Sequence, residues 1–188
     1  MDKGHDKIVL MYSITNTEGI ILKVFDQGES DILVSVLTKD LGHIYAKASG
    51  VRNMKSKNRF ALQEHSKSYI SLVHGKYGWK IINTSHLKSL YFDSVELFQR
   101  DAIIKILILV KRLFVGEEAH VKVFVDLSDS LDQIIISKTK EEVDKIAAET
   151  LFNFLNDLGY IENGTNCNLN NLSHLREIIN KGIVESGL

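Results

Sequence analysis

Proline is absent from the 188 residues, and Cys167 is the only cysteine. Without proline, no kink or stop can be assigned to a fixed φ, so elements must end on glycine, on polar caps or on a change of period. A single thiol excludes an internal disulfide and leaves at most one thiolate for a metal, so neither a disulfide scaffold nor a cysteine-rich zinc site fits. Long apolar runs are lacking too. The longest, Ile103 to Val110, is interrupted by Lys105 and followed by Lys111 and Arg112, too short and too charged to cross a hydrocarbon layer of about 30 Å. The N-terminus, MDKGHDKIVLMYSI, places acids before a brief apolar stretch without a small-residue cleavage site, which does not read as a secretory signal. A cytoplasmic protein with no membrane partner is expected.

Catalytic signatures are missing as well. The chain has no Walker-type glycine loop, GxSxG elbow, HExxH motif or acidic cluster at metal spacing, and its seven histidines are scattered. Glu141 and Glu142 read as charges at a helix N-terminus, not as a paired acid and base. No enzyme activity, cofactor or metal is expected.

What the chain does contain is an ordinary apolar fraction, 44%, enough for a packed core. Its net charge of -1 hides an asymmetry. Residues 1 to 90 hold 13 Lys/Arg against 8 Asp/Glu, and residues 91 to 188 hold 10 against 16, so the halves carry +5 and -6. They should bind different things.

From Thr17 to Thr84, turn residues separate short β-branched runs. Thr17–Phe25 and Ser30–Thr38 flank Asp26-Gln27-Gly28-Glu29, a hairpin signal, and Asp40-Leu41-Gly42 marks a second turn. Across His43–Ser49 the alternation points Ile44, Ala46 and Ala48 inward and His43, Tyr45, Lys47 and Ser49 to solvent. Lys67–Val73 and Trp79–Thr84 complete five strands, and Trp79 beside Ile81 reads as barrel core or an interface residue. Five short strands suit a small barrel, with the OB-fold foremost.

Beyond Ser94 the period changes from two to 3.6. Ser94–Val115 is apolar on nearly every side, the pattern of a helix at the centre of a bundle. Ala119–Ile136 is a further helix. Thr139 and Glu142 form a capping-box pattern before the stripe Val143, Ile146, Ala147, Thr150, Leu151, Phe154, Leu155 and Leu158, and Gly159 supplies the stop. Leu172, Leu175, Ile178, Ile179 and Ile183 outline one more. The expected class is α+β: an OB-fold β-barrel domain over residues 1–88, then an all-α helical-bundle domain over residues 89–188.

The segment Leu41–Gln63 carries Lys47, Arg52, Lys55, Lys57 and Arg59 and no carboxylate. A cationic loop on a barrel suits phosphates, whose neutralisation releases counterions and makes binding salt-sensitive and indifferent to base sequence. Lys23, Tyr45, Lys67 and Lys80 could extend this surface, and Tyr45, Phe60, Tyr69, Tyr77 and Trp79 are available for base stacking. A solvated loop that only aids solubility is the competing reading.

Residues 19–66, GIILKVFDQGESDILVSVLTKDLGHIYAKASGVRNMKSKNRFALQEHS, resemble the N-terminal OB-fold of bacterial RecO DNA repair proteins. The likeness lies in ordered short matches: Gly28-Glu29-Ser30-Asp31, Thr38 to Gly42, Lys47-Ala48-Ser49-Gly50-Val51-Arg52, Lys55-Ser56 and Ala61-Leu62-Gln63. LFNFLNDLGY, residues 151–160, is similar to the helix before the family's zinc segment. The resemblance implies a non-enzymatic, nucleoid-associated recombination mediator. It would bind single- and double-stranded DNA, anneal strands and, with RecR, load RecA onto DNA coated by single-stranded-DNA-binding protein.

The family's basic surface falls on Lys47, Arg52, Lys55, Lys57 and Arg59, with Lys23 along the same barrel. Lys111 and Arg112 would edge the helical groove for the acidic tail of single-stranded-DNA-binding protein, although as charges at a helix C-terminus they also complement its dipole. The chain departs from the family in two places. Asn170 stands where a second zinc-binding cysteine is usual, so zinc is not expected, and the helical domain is expected to be trimmed. The alternative function is an adaptor whose barrel binds protein without substantial DNA contact. RNA is a third reading, because phosphate contacts alone do not separate the polymers.

Overall fold

A computed structural model describes residues 13–53, 56, 58–114, 116–161 and 172–185. Lys55, Lys57, Cys167 and Asn170 lie outside the described residues. The first half is a closed barrel of β1 (Ile14–Gln27), β2 (Asp31–Thr38), β3 (Gly42–Ala48), β4 (Ser66–Gly75) and β5 (Gly78–Ser89), with α1 (Asn58–Ala61) between β3 and β4. Its circular order is β1-β2-β3-β5-β4. All neighbours are antiparallel except β3 and β5. This is the OB-fold, and with the helices that follow the class is α+β.

Period-two alternation builds the barrel interior. Ile32, Val34 and Val36 of β2 meet Ile44, Ala46 and Ala48 of β3 there, closed by Ile70, Leu72 and Ile81. Burying a Val, Leu or Ile side chain contributes roughly 1.5–3 kcal/mol against a large entropy cost. The barrel therefore depends on every one of these positions being apolar.

A second core lies outside the barrel wall, beside a β-bulge in β1. Ile21 pairs with Val36 and Lys23 with Ser35, which leaves Leu22 as the extra residue. Ordinary alternation points Ile20 and Leu22 out of the barrel with Leu37, into a cluster with the helices, and the bulge sets Lys23 on the outer side before Val24 returns to the interior.

Those helices are α2 (Leu97–Leu113), α3 (Val121–Ile136), α4 (Lys140–Asp157) and α5 (Leu172–Glu185). Leu107, Val110 and Phe114 from α2 and its cap, Leu127 and Leu131 from α3, and Leu155 and Leu175 from α4 and α5 share one core with Ile20 and Leu37 of the barrel. At α4 the Thr139 hydroxyl accepts from the Glu142 amide while the Glu142 carboxylate accepts from the Thr139 amide, the reciprocal cap expected from the sequence.

Three expectations need correction. His43 does not face solvent: its Nδ1 lies 2.8 Å from the Phe114 carbonyl oxygen and its Nε2 2.7 Å from the Ser35 hydroxyl, because the end of α2 covers this part of β3. Lys67 does not extend an exposed surface. Its ammonium is buried 2.8 Å from Asp132 of α3. Finally, α2 is not enclosed on all sides. Ile103, Ile106, Leu107 and Val110 are buried, but Leu97 is 72% and Ile108 52% exposed. Gly42, at φ 68°, seats the loop after α2 on the barrel, since a Cβ there would run into the backbone of Glu118.

Candidate nucleic-acid interface

The outer face of β1, β2 and β3 is divided by the helical half. Around Ile20, Leu22, Leu37 and His43 it is covered. Beyond them it is open. The register sets Phe25 beside Leu33, Leu33 beside Lys47, and Lys47 beside Lys80 of β5. Lys23 and Tyr45 flank Ser35 on the same side. Because neighbours in a ladder alternate faces together, these side chains form one surface.

Two aromatic rings lie at its centre. Phe25 is 39% and Tyr45 49% exposed, with centroids 6.5 Å apart and ring planes at 35°. Exposed rings of this kind offer stacking platforms for unpaired bases. Lys111 reaches in from the last turn of α2, its ammonium 5.5 Å from the Phe25 centroid, so a cation of the helical half joins the barrel surface. Lys80 is exposed and takes part in no ion pair among the described residues. At the tip of the adjoining β4–β5 hairpin, Tyr77 is 93% exposed with the Lys76 ammonium 5.6 Å from its ring. In OB-folds the β2–β3 face and the β1–β2 and β4–β5 loops are the usual oligonucleotide surface.

The cationic segment expected from sequence is less positive in space than in line. Lys47 pairs with Asp31 at 2.9 Å, Lys23 with Glu64 at 2.9 Å and Arg52 with Asp26 at 3.5 Å. The Lys47 ammonium, with the Gly50 amide, holds the Asp31 carboxyl below its ordinary range. Burial pushes Glu64 upward, but the Val24 amide and Lys23 outweigh it and the net direction is down. Arg52 also donates to the Gly28 carbonyl oxygen at 2.8 Å, fastening the β1–β2 turn to the loop after β3. Exposed pairs of this type contribute only about 0–1 kcal/mol, so an arriving phosphate can compete for the lysines.

Lys23 and Lys47 are thus brought together on the open face, with Arg52 at its edge. Arg59 is exposed on α1, which packs against β4 and β5 and not against this face. Lys111 lies over Phe25, and neither it nor Arg112 lines the groove between α2, α4 and α5, whose basic residues are Lys105 and Lys140. Two members of the surface are not legible in the sequence, Phe25 as a stacking residue and Lys111 as part of the barrel face. Phe25 sits next to a turn, and only the register shows which way it points. No helix among the described residues is long and apolar enough to cross a membrane.

Comparison with known proteins agrees with the fold. Residues 11–98 match the family described as "Recombination protein O N terminal". Over 137 residues the chain is 29% identical to "DNA repair protein RecO" of Gloeothece citriformis (strain PCC 7424), a match covering 73% of this chain and 48% of that protein. The chain spans about half the length of this relative.

Proposed function

From the match of residues 11–98 to the RecO N-terminal family and the likeness to a RecO protein, we infer that the protein is of the RecO type and acts in DNA repair and recombination as a non-enzymatic mediator. Residues 1–88 bind single- and double-stranded DNA and promote annealing. Residues 89–188 engage protein partners and, with RecR, support RecA loading onto DNA coated by single-stranded-DNA-binding protein. The observation that carries the DNA-binding half is the exposed Phe25–Tyr45 ring pair among Lys47, Lys80 and Lys111 on the β1–β3 face. Cations hold the backbone without reading sequence, while the rings accept any base by its face. Held side by side in this way, two strands repel each other less and keep their pairing edges free.

Within this reading Lys23 on the open face and Arg52 at its edge add phosphate contacts, and Lys55, Lys57 and Arg59 are further phosphate contacts proposed from the family resemblance. Arg112, exposed at the end of α2, is the basic residue left for a partner once Lys111 is given to the nucleic acid. The pairing of Lys23, Lys47 and Arg52 with carboxylates favours the second reading, in which the barrel is an adaptor surface for RecR.

Fluorescence anisotropy with single-stranded oligonucleotides over a salt series separates the two. Phe25→Ala with Tyr45→Ala should weaken binding by about 1–3 kcal/mol per stacked base. Lys47→Ala, Lys80→Ala and Lys111→Ala together should flatten the salt slope by roughly 0.7 for each phosphate no longer neutralised. Unchanged affinity and slope in both variants would remove this face from consideration. A native protein with negligible DNA affinity at low salt that still captures RecR would establish the adaptor.

A further inference from the structure

We propose that the uncovered side of α2 is a two-fold interface with a second copy of this chain. Leu97, Asp101, Ile104, Lys105 and Ile108 recur at spacings of three and four and so share one side of the helix. Leu97 is 72% and Ile108 52% exposed. Asp101 and Lys105 are exposed between them, and neither joins an ion pair among the described residues. A helix this apolar is ordinarily enclosed, yet this side faces solvent.

The order of residues selects the occupant. When α2 is laid antiparallel against its own copy, crossing between Ala102 and Ile103, Leu97 of each chain is level with Ile108 of the other and Asp101 lies within one residue of Lys105. The stripe is its own complement, which is what an isologous interface requires. A parallel arrangement would set acid on acid and base on base. An acidic peptide is matched less well, because the groove of about 870 Å³ that Leu97, Asp101, Lys105 and Ile108 line together with α4 and α5 carries Asp101 and Asp144 as well as Lys105 and Lys140. With two charges of each sign it gives a uniformly charged ligand no net attraction.

Sedimentation velocity of the full chain over a concentration series tests this. The native protein should show a monomer–dimer equilibrium. Asp101→Lys alone and Lys105→Asp alone should each weaken association about tenfold or more by setting like charges together, and Ile108→Glu should abolish it. The combined Asp101→Lys and Lys105→Asp exchange should restore it, because the exchanged pattern is again self-complementary. A native protein that stays monomeric at every concentration, single reversals without effect, or a double reversal no better than either single one would each overturn the proposal. So would a monomer that instead binds an apolar acidic peptide along this groove.

Discussion

Burial of the His43 ring between the Ser35 hydroxyl and the Phe114 carbonyl oxygen lowers its pKa below 6.5, and Lys111 adds to the effect while the carbonyl opposes it. Burial lowers His65 in the same direction. Below 6.5 the unfolded chain takes up protons that the folded one refuses. Stability from these two rings is therefore complete above that value and is lost as the pH falls toward their folded pKa values. Acidification from about one unit above 6.5 to one unit below should lower the unfolding free energy, by at most about 1.4 kcal/mol per pH unit and per ring, and the thermal midpoint with it. His43→Gln, which keeps a donor for Phe114, should reduce that slope, and combining it with His65→Gln should reduce it further. A slope unaffected by either change would mean that other groups carry the dependence. At this scale the sequence is a partial guide. It locates Lys47 and Arg52, but their carboxylate partners Asp31 and Asp26 lie outside Leu41–Gln63, and only pairing across β1, β2 and β3 brings them close.

Elements are more legible than their packing, because each is written in local period and punctuation. Alternation over His43–Ser49 identifies the inward face of β3, and the turn residues around Gly28 and Gly42 mark strand ends with positive φ. What escapes is too short or too dependent on a neighbour to leave a pattern: α1 has four residues, and the bulge at Leu22 exists only relative to β2. The stop after α4 is the clearest case of local encoding. Gly159, at φ 78°, donates to the Asn156 carbonyl oxygen at 3.0 Å while Tyr160 donates to that of Leu155 at 2.8 Å, the two bonds of a Schellman turn. Its Cβ position meets nothing within 4 Å, so substitution there costs conformation and not space. Gly159→Ala should destabilise by about 1 kcal/mol, and Gly159→Asn by less, because asparagine tolerates the left-handed region. Equal losses for both in chemical denaturation would contradict that account.

Across the whole molecule, the barrel and the helices are joined by apolar packing around Leu37 and by a charged clasp that composition could not disclose. Lys67 of β4 and Lys88 of β5 converge on Asp132 of α3 at 2.8 and 3.1 Å, and Lys67 also donates to the Ser128 carbonyl oxygen at 3.5 Å. Burial pushes the Asp132 carboxyl upward, but the two ammonium groups outweigh it and hold it below its ordinary value. The clasp is therefore intact at neutral pH, and its contribution is lost only as pH falls below 3.8 toward the folded value. This window is distinct from the histidine window above it. The two sides of the clasp are not equivalent. Asp132→Asn leaves two cations converging without an anion, one of them only 11% exposed. Its cost should be about 1–3 kcal/mol, less than the ~3–5 of a fully buried broken pair because Asp132 and Lys88 are each 36% exposed. Lys67→Met removes a buried charge while Lys88 still neutralises Asp132, so its cost should be under about 1 kcal/mol. Denaturation of the two variants measures the difference. If Lys67→Met proved as damaging as Asp132→Asn, then packing of the lysine stem, and not charge balance, would hold the barrel to the helices.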